Sequence, residues 1–244
     1  MSEAAVSSRF GLYVVRKGGF FVNWTSELMR AVELAEAAGD AICDARESGF
    51  EQSRKADDSL VTSADLRADR LVREGLMNAF PRDAVLTEES GWNGAHDASR
   101  IWVVDPLDGT RAFAQDAAGY SVLIGLIEAG KVIQGVAHFP RSGKTFMAVR
   151  GGGAFTRVRG EAVAVLLEGV PGPGALTLSP STPEETRKAL LKATQLEEGP
   201  ILHGAGSKLI CLAEGRAQAY FSGHGLSVWD TAAPGLILEE AGGT

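Results

Sequence analysis

Apolar side chains recur at spacings of three and four residues in two segments near the amino terminus, and this period predicts two amphipathic helices. The first follows Thr25-Ser26, which can cap it, and Gly49 lies beyond its end. The second is capped by Thr62 or Ser63 and stops at Pro81, because proline cannot continue a helix. Their apolar stripes are formed by Leu28, Ala31, Val32, Ala35, Ala38 and Ile42, and by Leu66, Leu71, Val72, Leu76 and Phe80.

Short apolar runs in the middle of the chain predict strands. The segment "AVLTEES" is typical of a short strand that ends in acidic residues, and Ile101 to Asp105 is typical of a buried strand. The segment "YSVLIGLIEAGKVIQGVAHF" indicates two strands joined by a tight turn, and "KTFMAV" indicates a third. Glycines 151 to 153 interrupt this pattern and mark a boundary.

The carboxy-terminal segment mixes strands, at "ALTLS" and "AQAYF", with three helices. One begins at Thr182-Pro183-Glu184-Glu185, a capping-box pattern with proline at its first position. Another covers "SKLICLAEG", and the last, "WDTAAPGLILEEAGG", is capped by Asp230 and ends at Gly242. This mixture predicts an α/β fold built in layers. We expect an extension at 1–24, an α+β subdomain at 25–153 and a smaller α/β subdomain at 154–244.

Composition narrows the functional classes. The 244 residues, 45% of them hydrophobic, are enough for a substantial core. The net charge of −7 argues against a nucleic-acid surface, which needs clustered basic residues, but not against a small anionic substrate. Cys43 and Cys211 match no metal or redox spacing, which favours reduced thiols in a cytoplasmic protein. No apolar run reaches membrane-spanning length, and the first residues lack a signal-peptide pattern.

Four acidic residues stand at the predicted ends of strands and helices: Glu88, Asp105, Asp108 and Asp230. Carboxylates a few ångströms apart oppose one another's ionisation unless a cation lies between them. Mg²⁺ takes oxygen ligands, often with a phosphate completing its shell. Gly109 lets the backbone approach a ligand, and Thr110 begins a segment whose free amides favour an anion. The pattern therefore suggests a metal-assisted phosphate site.

Each of these features also has an ordinary structural interpretation. Asp-Pro-x-Asp-Gly is common in turns, and Asp230 alone could cap a helix. Asp65 could stabilise its helix by interacting with the positive end of the helix dipole. Lys208 could be a surface lysine, and the four histidines form no metal-ligand spacing, so we expect them to be structural. The residue spacing alone leaves both interpretations open.

The combination of motifs is more specific than its parts. "WVVDPLDGTRAF" and "VWDTAAPGLILEEAGG" resemble the two signature segments of the inositol monophosphatase-like superfamily of Mg²⁺-dependent, Li⁺-sensitive phosphatases. "LVTSADLRADRLV" and "LTEESG" are similar to its two upstream motifs, in the same order. The resemblance extends from about Thr25 to the end of the chain. It implies a layered αβαβα fold with the active site between the two halves.

The resemblance also implies residue roles. Two or three Mg²⁺ ions would be held by the side chains of Glu88, Asp105, Asp108 and Asp230 and by the backbone carbonyl of Leu107, with Asp105 bridging two ions. Asp65 and Thr110 are similar to the pair that orients and deprotonates the attacking water, beside the Glu88-bound metal. The amides of Gly109 and Thr110 would lie near the phosphate.

Within the superfamily, "HGAGSKLICLAEGRAQAYF" followed by "WDTAAP" is similar to 3′(2′),5′-bisphosphate nucleotidases, which act on 3′-phosphoadenosine 5′-phosphate. That similarity implies substrate contacts from Thr177, Gly204, Lys208 and Asp230. Inositol monophosphatases place a glutamate where this chain has Ser222, which argues against inositol. Ser179-Pro180 departs from the Ser-His of the nucleotidases, so one adenosine contact is missing.

Two alternatives to a bisphosphate nucleotidase stay open. One is an inositol or other sugar monophosphatase on the same scaffold. The other is a catalytically silent phosphate-binding homologue. It is motivated by the end of the chain at Gly243-Thr244, where relatives continue through another strand. A missing strand would leave an exposed sheet edge. Relatives also suggest a homodimer, by analogy alone.

Overall fold

The structure, a computed structural model, describes residues 25–56, 58–157, 174–223 and 225–244, and the backbone of 7–8, 11–12, 158 and 161–164. Within these residues six helices are present: α1 (Ser26–Ser48), α2 (Ser63–Ala79), α3 (Thr110–Ala114), α4 (Glu184–Thr194), α5 (Ala205–Ala213) and α6 (Val228–Glu240). Most of the extension predicted at 1–24 lies outside the described residues. Among the described helices, none combines the length and the apolar character that crossing a bilayer requires.

The described strands are β1 (Ser7–Ser8), β2 (Gly11–Leu12), β3 (Gln52–Arg54), β4 (Leu60–Thr62), β5 (Ala84–Thr87), β6 (Gly91–Asn93), β7 (Arg100–Asp108), β8 (Ser121–Glu128), β9 (Lys131–Phe139), β10 (Lys144–Val149), β11 (Gly153–Val158), β12 (Glu161–Ala164), β13 (Ala175–Leu178), β14 (Glu197–Ile201) and β15 (Ala219–Tyr220). Eight of them form one sheet in the order β12-β11-β10-β9-β8-β7-β5-β6. Within it β5 and β7 are parallel, and the other neighbours are antiparallel. A smaller parallel sheet has the order β14-β13-β15, and β3 and β4 form a hairpin.

The large sheet is covered by helices on both faces. On one face α1 and α2 bury residues such as Val32 and Leu76 against Trp102 and Val136 of the sheet. On the other face α5 and α6 form a second apolar cluster with β8 to β11, in which Ile237 packs near Phe146. The layered α/β fold predicted from the sequence is therefore confirmed.

Helix α6 crosses the sheet at close range, and glycines in the strands make this approach feasible. A Cβ added to Gly135 of β9 would lie 2.6 Å from the carbonyl oxygen of Ala233. A Cβ at Gly125 of β8 would lie 3.1 Å from the Ala232 side chain. The backbone of α6 therefore rests almost directly on the strands, and this contact fixes the position of its first turn.

The predicted helices and strands are found with a few differences at their ends. Thr25 caps α1 and Thr62 caps α2, as expected. Helix α6 begins three residues earlier than predicted, with Ser227 as its cap, so Asp230 is the third helical residue and completes a capping box. The capping box predicted for α4 does not form. Pro183 is the cap, and proline has no side-chain oxygen that could accept a hydrogen bond from the first amides of the helix.

The boundary predicted between residues 153 and 154 falls at the start of β11. Strands β11 and β12 continue the same sheet as β10, since all three pair in antiparallel register. The small parallel sheet and α4 to α6 follow later in the chain. The division at 153/154 stays a prediction.

Candidate active site

Strand β7 carries two aspartates at its carboxyl end, in the middle of the large sheet. Residues three positions apart on a regular strand point to opposite faces. Here the register against β8 shifts between Asp105 and Asp108, and both side chains line one cleft. Asp108, expected in the turn after the strand, still pairs with Ser121 and is the last residue of β7. Asp105 and Asp108 are 2% and 5% exposed, respectively, so two carboxylates lie together with little exposure to solvent, in what we call the acidic corner.

The carboxylate of Asp108 is held by three donors from elsewhere in the chain. The backbone amides of Ala205 and Gly206 donate to it at 2.9 and 3.0 Å, and the Ser121 hydroxyl donates at 3.0 Å. The first turn of α5 is therefore directed at this carboxylate. Gly204 has a φ of +68° and a Cβ there would lie 2.4 Å from Asp108 Oδ2, so only glycine fits.

Asp230 joins this corner from the other side. Its Oδ2 accepts a 2.6 Å bond from the amide of Ser227, which orients the carboxylate at the start of α6. One oxygen from each of Asp105, Asp108 and Asp230 lies within 4.8 Å of the others. Asp105 accepts only from the amide of Leu107, at 3.0 Å, among the bonds found in the described residues. Three carboxylates at this spacing fit a hard divalent cation.

The electrostatics of the corner agree with that fit. Burial, followed by the proximity of Asp108, Glu88 and Asp230, raises the pKa of Asp105 well above its usual range. Burial raises the pKa of Asp108 to about 6, against the effect of its backbone donors. Burial and then the charge of Glu88 raise the pKa of Asp230. Ionised acids here repel one another, and a bound cation would relieve that repulsion.

Glu88 follows β5, the parallel neighbour of β7, and lines the same cleft. Its Oε1 accepts from the ammonium of Lys55 at 2.7 Å, and Lys55 also bonds to Glu89 at 2.7 Å. Lys55 lies in the turn of the β3–β4 hairpin. Although burial acts to lower it, the two hydrogen bonds raise the pKa of Lys55. Glu88 thus faces a protein cation at the edge of the acidic corner.

Asp65 and Thr110, far apart in the sequence, meet beside this corner. The Thr110 hydroxyl lies 2.9 Å from Asp65 Oδ1 and 3.1 Å from the carbonyl oxygen of Leu107. The other oxygen of Asp65 accepts from the amide and hydroxyl of Thr62 at 2.8 and 2.5 Å, which completes the capping box of α2. Burial raises the pKa of Asp65, although these hydrogen bonds oppose the rise. The carboxylate and hydroxyl are therefore fixed in contact.

Gly109 connects β7 to α3 and caps it in a left-handed conformation, with a φ of 85°. A Cβ there would approach the Gly119 carbonyl oxygen at 3.2 Å. Both Gly109 and Thr110 line the cleft, next to Asp105 and Asp108. The sharp turn therefore brings backbone close to the acidic corner.

The cleft has a volume of about 670 Å³, and its other wall comes from the second half of the chain. Lys208 of α5 is 4% exposed, with its ammonium 2.9 Å from the Gly204 carbonyl oxygen and 5.2 Å from the centre of the Tyr220 ring. Burial lowers the pKa of Lys208, while Asp108 and Asp230 act in the opposite direction. Lys208 is therefore an inward-facing cation.

Two predicted site residues are not part of the cleft lining: Asp65, which reaches it through the Thr110 hydroxyl, and Thr177. Thr177 is fully buried in β13, and its hydroxyl donates to the carbonyl oxygen of Pro200 at 2.6 Å. Sequence reasoning in turn missed several residues that line the cleft: Ser59, Arg111, Gln115, Ser179, Ser181 and His203. His203 was expected to be structural. Its place directly before Gly204 was the signal that could have identified it.

Comparisons with known proteins agree with these motifs. The sequence model of the inositol monophosphatase family matches residues 24–244. The 3′(2′),5′-bisphosphate nucleotidase CysQ of Salmonella typhimurium is 34% identical over 219 residues, which cover 88% of each chain. The histidinol-phosphatase of Chlorobaculum parvum is 33% identical over 223 residues, which cover 90% of this chain and 85% of that protein.

Among solved structures, the extragenic suppressor protein suhB of Bartonella henselae superposes with a TM-score of 0.77 at 26% identity, covering 89% of this chain and 86% of its own. The motifs that suggested the resemblance carry the acids that converge on the cleft, and the family model spans them all. This chain belongs to the inositol monophosphatase family.

Proposed function

We propose that this chain is a Mg²⁺-dependent phosphomonoesterase that removes the 3′-phosphate of 3′-phosphoadenosine 5′-phosphate. The observation that carries the proposal is the convergence of Asp105, Asp108 and Asp230 within 4.8 Å, beside the Asp65–Thr110 pair. The similarity to a protein named as a 3′(2′),5′-bisphosphate nucleotidase supports the substrate.

In this proposal Asp105, Asp108, Asp230 and Glu88 hold two or three Mg²⁺ ions together with the carbonyl oxygen of Leu107. Such ions supply a nucleophile at neutral pH and stabilise charge on the phosphoryl oxygens and the leaving oxygen. The donor set fits a hard cation such as Mg²⁺ because every proposed ligand is an oxygen. Asp108 already accepts three hydrogen bonds, which hold its carboxylate in one orientation.

Asp65 and Thr110 take the proton of the attacking water in this scheme. Because the Thr110 hydroxyl donates its hydrogen to Asp65 Oδ1, the hydroxyl oxygen can accept a hydrogen bond from water through a lone pair. Burial raises the pKa of Asp65, which makes this carboxylate a better proton acceptor. The amides of Gly109 and Thr110 are proposed to face the phosphoryl oxygens as they gain charge.

Substrate selection is assigned to the second half of the chain. The ammonium of Lys208 is proposed to meet the second phosphate, because it is an inward-facing cation in the cleft wall. The carbonyl oxygen of Gly204 accepts from this ammonium, and Asp230 also lines the cleft. A nucleotide contact from Thr177 stays a prediction, as do a homodimer and a cytoplasmic location.

The decisive experiment is a panel of phosphorylated compounds assayed for phosphate release with Mg²⁺, with and without Li⁺. It contains 3′-phosphoadenosine 5′-phosphate, inositol 1-phosphate and histidinol phosphate. We expect the highest kcat/KM for the bisphosphate nucleotide and inhibition of its hydrolysis by Li⁺. A clear preference for inositol phosphate would refute the proposed substrate while leaving the metal chemistry intact.

A second candidate is a monophosphatase with a simpler substrate. The similarity to a protein named histidinol-phosphatase, at nearly the same identity, favours this candidate. A preference for histidinol phosphate in the same panel would select it. Metal-dependent stabilisation without turnover of any compound would instead indicate a catalytically silent homologue.

A further inference from the structure

Asp69 lies on α2, one helical turn beyond Asp65, and no role has been given to it so far. It is 3% exposed, and it accepts a short hydrogen bond from the hydroxyl of Ser90 through Oδ2. The guanidinium of Arg73, one further turn along, lies 3.5 Å from the same oxygen. Among the described residues, Ser90 is the one hydrogen-bond donor found for this carboxylate.

Ser90 belongs to the short turn that carries Glu88 and Glu89. At the start of this turn, the buried hydroxyl of Thr87 accepts from the amide of Ser90 at 2.9 Å. The amide of Glu88 donates to the carbonyl oxygen of Val104 in β7 at 3.1 Å. The turn is thus joined to β7 by its backbone and to α2 by the Ser90 hydroxyl.

Helix α2 is therefore a common support for two parts of the cleft. Asp65 and Asp69 share one face of it because residues four apart lie one above the other. Asp65 contacts Thr110, and Asp69 contacts the turn with Glu88. A carboxylate that holds another group from behind can set the orientation of a ligand that it does not touch.

We propose that Asp69, acting through Ser90, is a positioning residue that fixes the 87–90 turn and so sets the place of Glu88 relative to Asp65 and Asp105. The inference rests on the proposed metal site, since it concerns how one proposed ligand is held. Loss of the Asp69–Ser90 bond removes the side-chain link between the turn and α2. The turn is then held by its backbone bond to β7 and by Lys55, which bonds to Glu88 and Glu89 from the β3–β4 hairpin, and Glu88 samples positions that no longer face the acidic corner. Partners of this kind typically contribute about 10- to 100-fold in metal affinity.

Ser90→Ala tests the inference, and Ser90→Thr is its conservative partner because threonine keeps the hydroxyl. Asp83→Asn is the matched control. Asp83 lies at the other end of β5, and its carboxylate accepts from the Trp102 indole and the Arg100 guanidinium, each at 2.9 Å. Each variant is titrated with Mg²⁺ by calorimetry in the metal-free form, and its melting temperature is measured without metal.

We expect Ser90→Ala to weaken Mg²⁺ binding about tenfold, with Ser90→Thr close to the wild type. Asp83→Asn should lower the melting temperature without changing Mg²⁺ binding. In the phosphate-release assay, Ser90→Ala should reach half of its maximal rate at a higher Mg²⁺ concentration than the wild type. It should recover most of the wild-type kcat when Mg²⁺ is saturating. Asp69→Asn should also weaken Mg²⁺ binding, and it provides a second test of the inference if Ser90→Ala folds poorly.

Unchanged Mg²⁺ affinity in Ser90→Ala would overturn the inference, as would an equal loss of affinity in Asp83→Asn, since that points to general destabilisation. Glu88→Gln separates this failure from failure of the proposed function. If Glu88→Gln weakens Mg²⁺ binding and Ser90→Ala does not, only the positioning role is wrong. If Glu88→Gln also leaves binding unchanged, Glu88 is not a metal ligand, and the positioning role falls with it while the site of Asp105, Asp108 and Asp230 is unaffected.

Discussion

The two walls of the cleft differ in how their charged groups are satisfied. The acidic wall consists of Glu88, Asp105, Asp108 and Asp230. Among the described residues, one backbone amide donates to Asp105, and an oxygen of its carboxylate lies within 4.8 Å of one from each of Asp108 and Asp230. On the opposite wall, the Lys208 ammonium already contacts a carbonyl oxygen and an aromatic ring within its own half of the chain. The acidic wall thus concentrates negative charge that a cation would offset. The Lys208 ammonium of the opposite wall has partners of its own, although burial lowers its pKa.

This difference suggests that the acidic wall serves metal binding and catalysis, whereas the opposite wall serves the choice of substrate. A wall of repelling acids gains from binding metal, so changes there should affect metal binding, turnover and metal-free stability together. A wall whose cation has its own partners can be altered with smaller effects, limited to the compounds that contact it. The predictions below test this separation, beginning with the acidic wall.

The largest effect is expected from Asp105→Asn, which keeps the shape of the side chain and removes the charge shared by the proposed ions. A loss of several kcal/mol in transition-state stabilisation corresponds to a fall in kcat of about a thousandfold or more. Without metal, the variant should melt at a higher temperature than the wild type, because one member of the repelling cluster is neutral. Phosphate release and thermal melts with and without Mg²⁺ measure both effects.

Asp97→Asn is the control for net charge, since Asp97 is exposed and is not one of the residues that line the cleft. It should leave turnover and metal response unchanged. Wild-type turnover by Asp105→Asn would remove this residue from the mechanism. A lower metal-free melting temperature in that variant would contradict the electrostatic account of the acidic wall.

The next largest effect is expected from Thr110→Ala, which removes the hydroxyl bonded to Asp65. General acid–base groups typically contribute about 10²- to 10⁴-fold, so kcat should fall by a factor in this range while Mg²⁺ affinity changes little. Thr110→Ser keeps the hydroxyl and should recover most of the rate. Equal rates for the serine and alanine variants would show that the hydroxyl is not used.

The acidic wall was also the part of the molecule most open to prediction from sequence. Its acids follow local patterns, such as the capping box of Thr62 and Asp65, and a strand that ends in Asp-Pro-Leu-Asp. The pairing of Lys55 with Glu88 and Glu89 could not be predicted, because it depends on how the β3–β4 hairpin folds over a turn that lies 33 positions away. Local patterns and the family resemblance thus suggested these acids as ligands, but not the lysine that pairs with Glu88 and Glu89.

The opposite wall was harder to predict because its residues come from separate turns. The period of α5 identified a helix, yet nothing local showed that its first amides would be taken by Asp108. The contact from Thr177 was predicted from resemblance and stays a prediction; in the structure its hydroxyl donates to the carbonyl oxygen of Pro200. The start of α6 was misplaced because Asp230 and Ser227 are both good caps, and a capping box needs both.

On the opposite wall, Lys208→Ala should raise KM for 3′-phosphoadenosine 5′-phosphate without a large change in kcat. A hydrogen bond to a charged group is worth about 1.5–3 kcal/mol, which corresponds to a rise of about 10- to 100-fold. A substrate with a single phosphate should show little change. Lys188→Ala, on the exposed face of α4, is the matched control. An equal effect on both substrates would assign Lys208 a purely structural role.

The smallest effect, a few degrees in melting temperature, concerns the metal-free protein between pH 7.5 and 5.5. The folded pKa of Asp108 is raised to about 6, above the value of an unfolded aspartate, and that of Asp105 is also raised. The folded state therefore takes up protons first, and the destabilisation by these acids is relieved as the pH falls through this range. Burial lowers the pKa of His138 and of His203, which has the opposite effect on stability.

The comparison of wild type with Asp105→Asn removes this histidine contribution, because both proteins contain the same histidines. The stability advantage of the variant should be largest at pH 7.5 and should shrink towards pH 5.5. Saturating Mg²⁺ should reverse the order of the two proteins at pH 7.5, since only the wild type has the full set of carboxylates to hold the ions. A difference that is constant with pH would mean that neither burial nor the neighbouring acids raise the pKa of Asp105 in the folded protein, and the contrast between the walls would then have another cause.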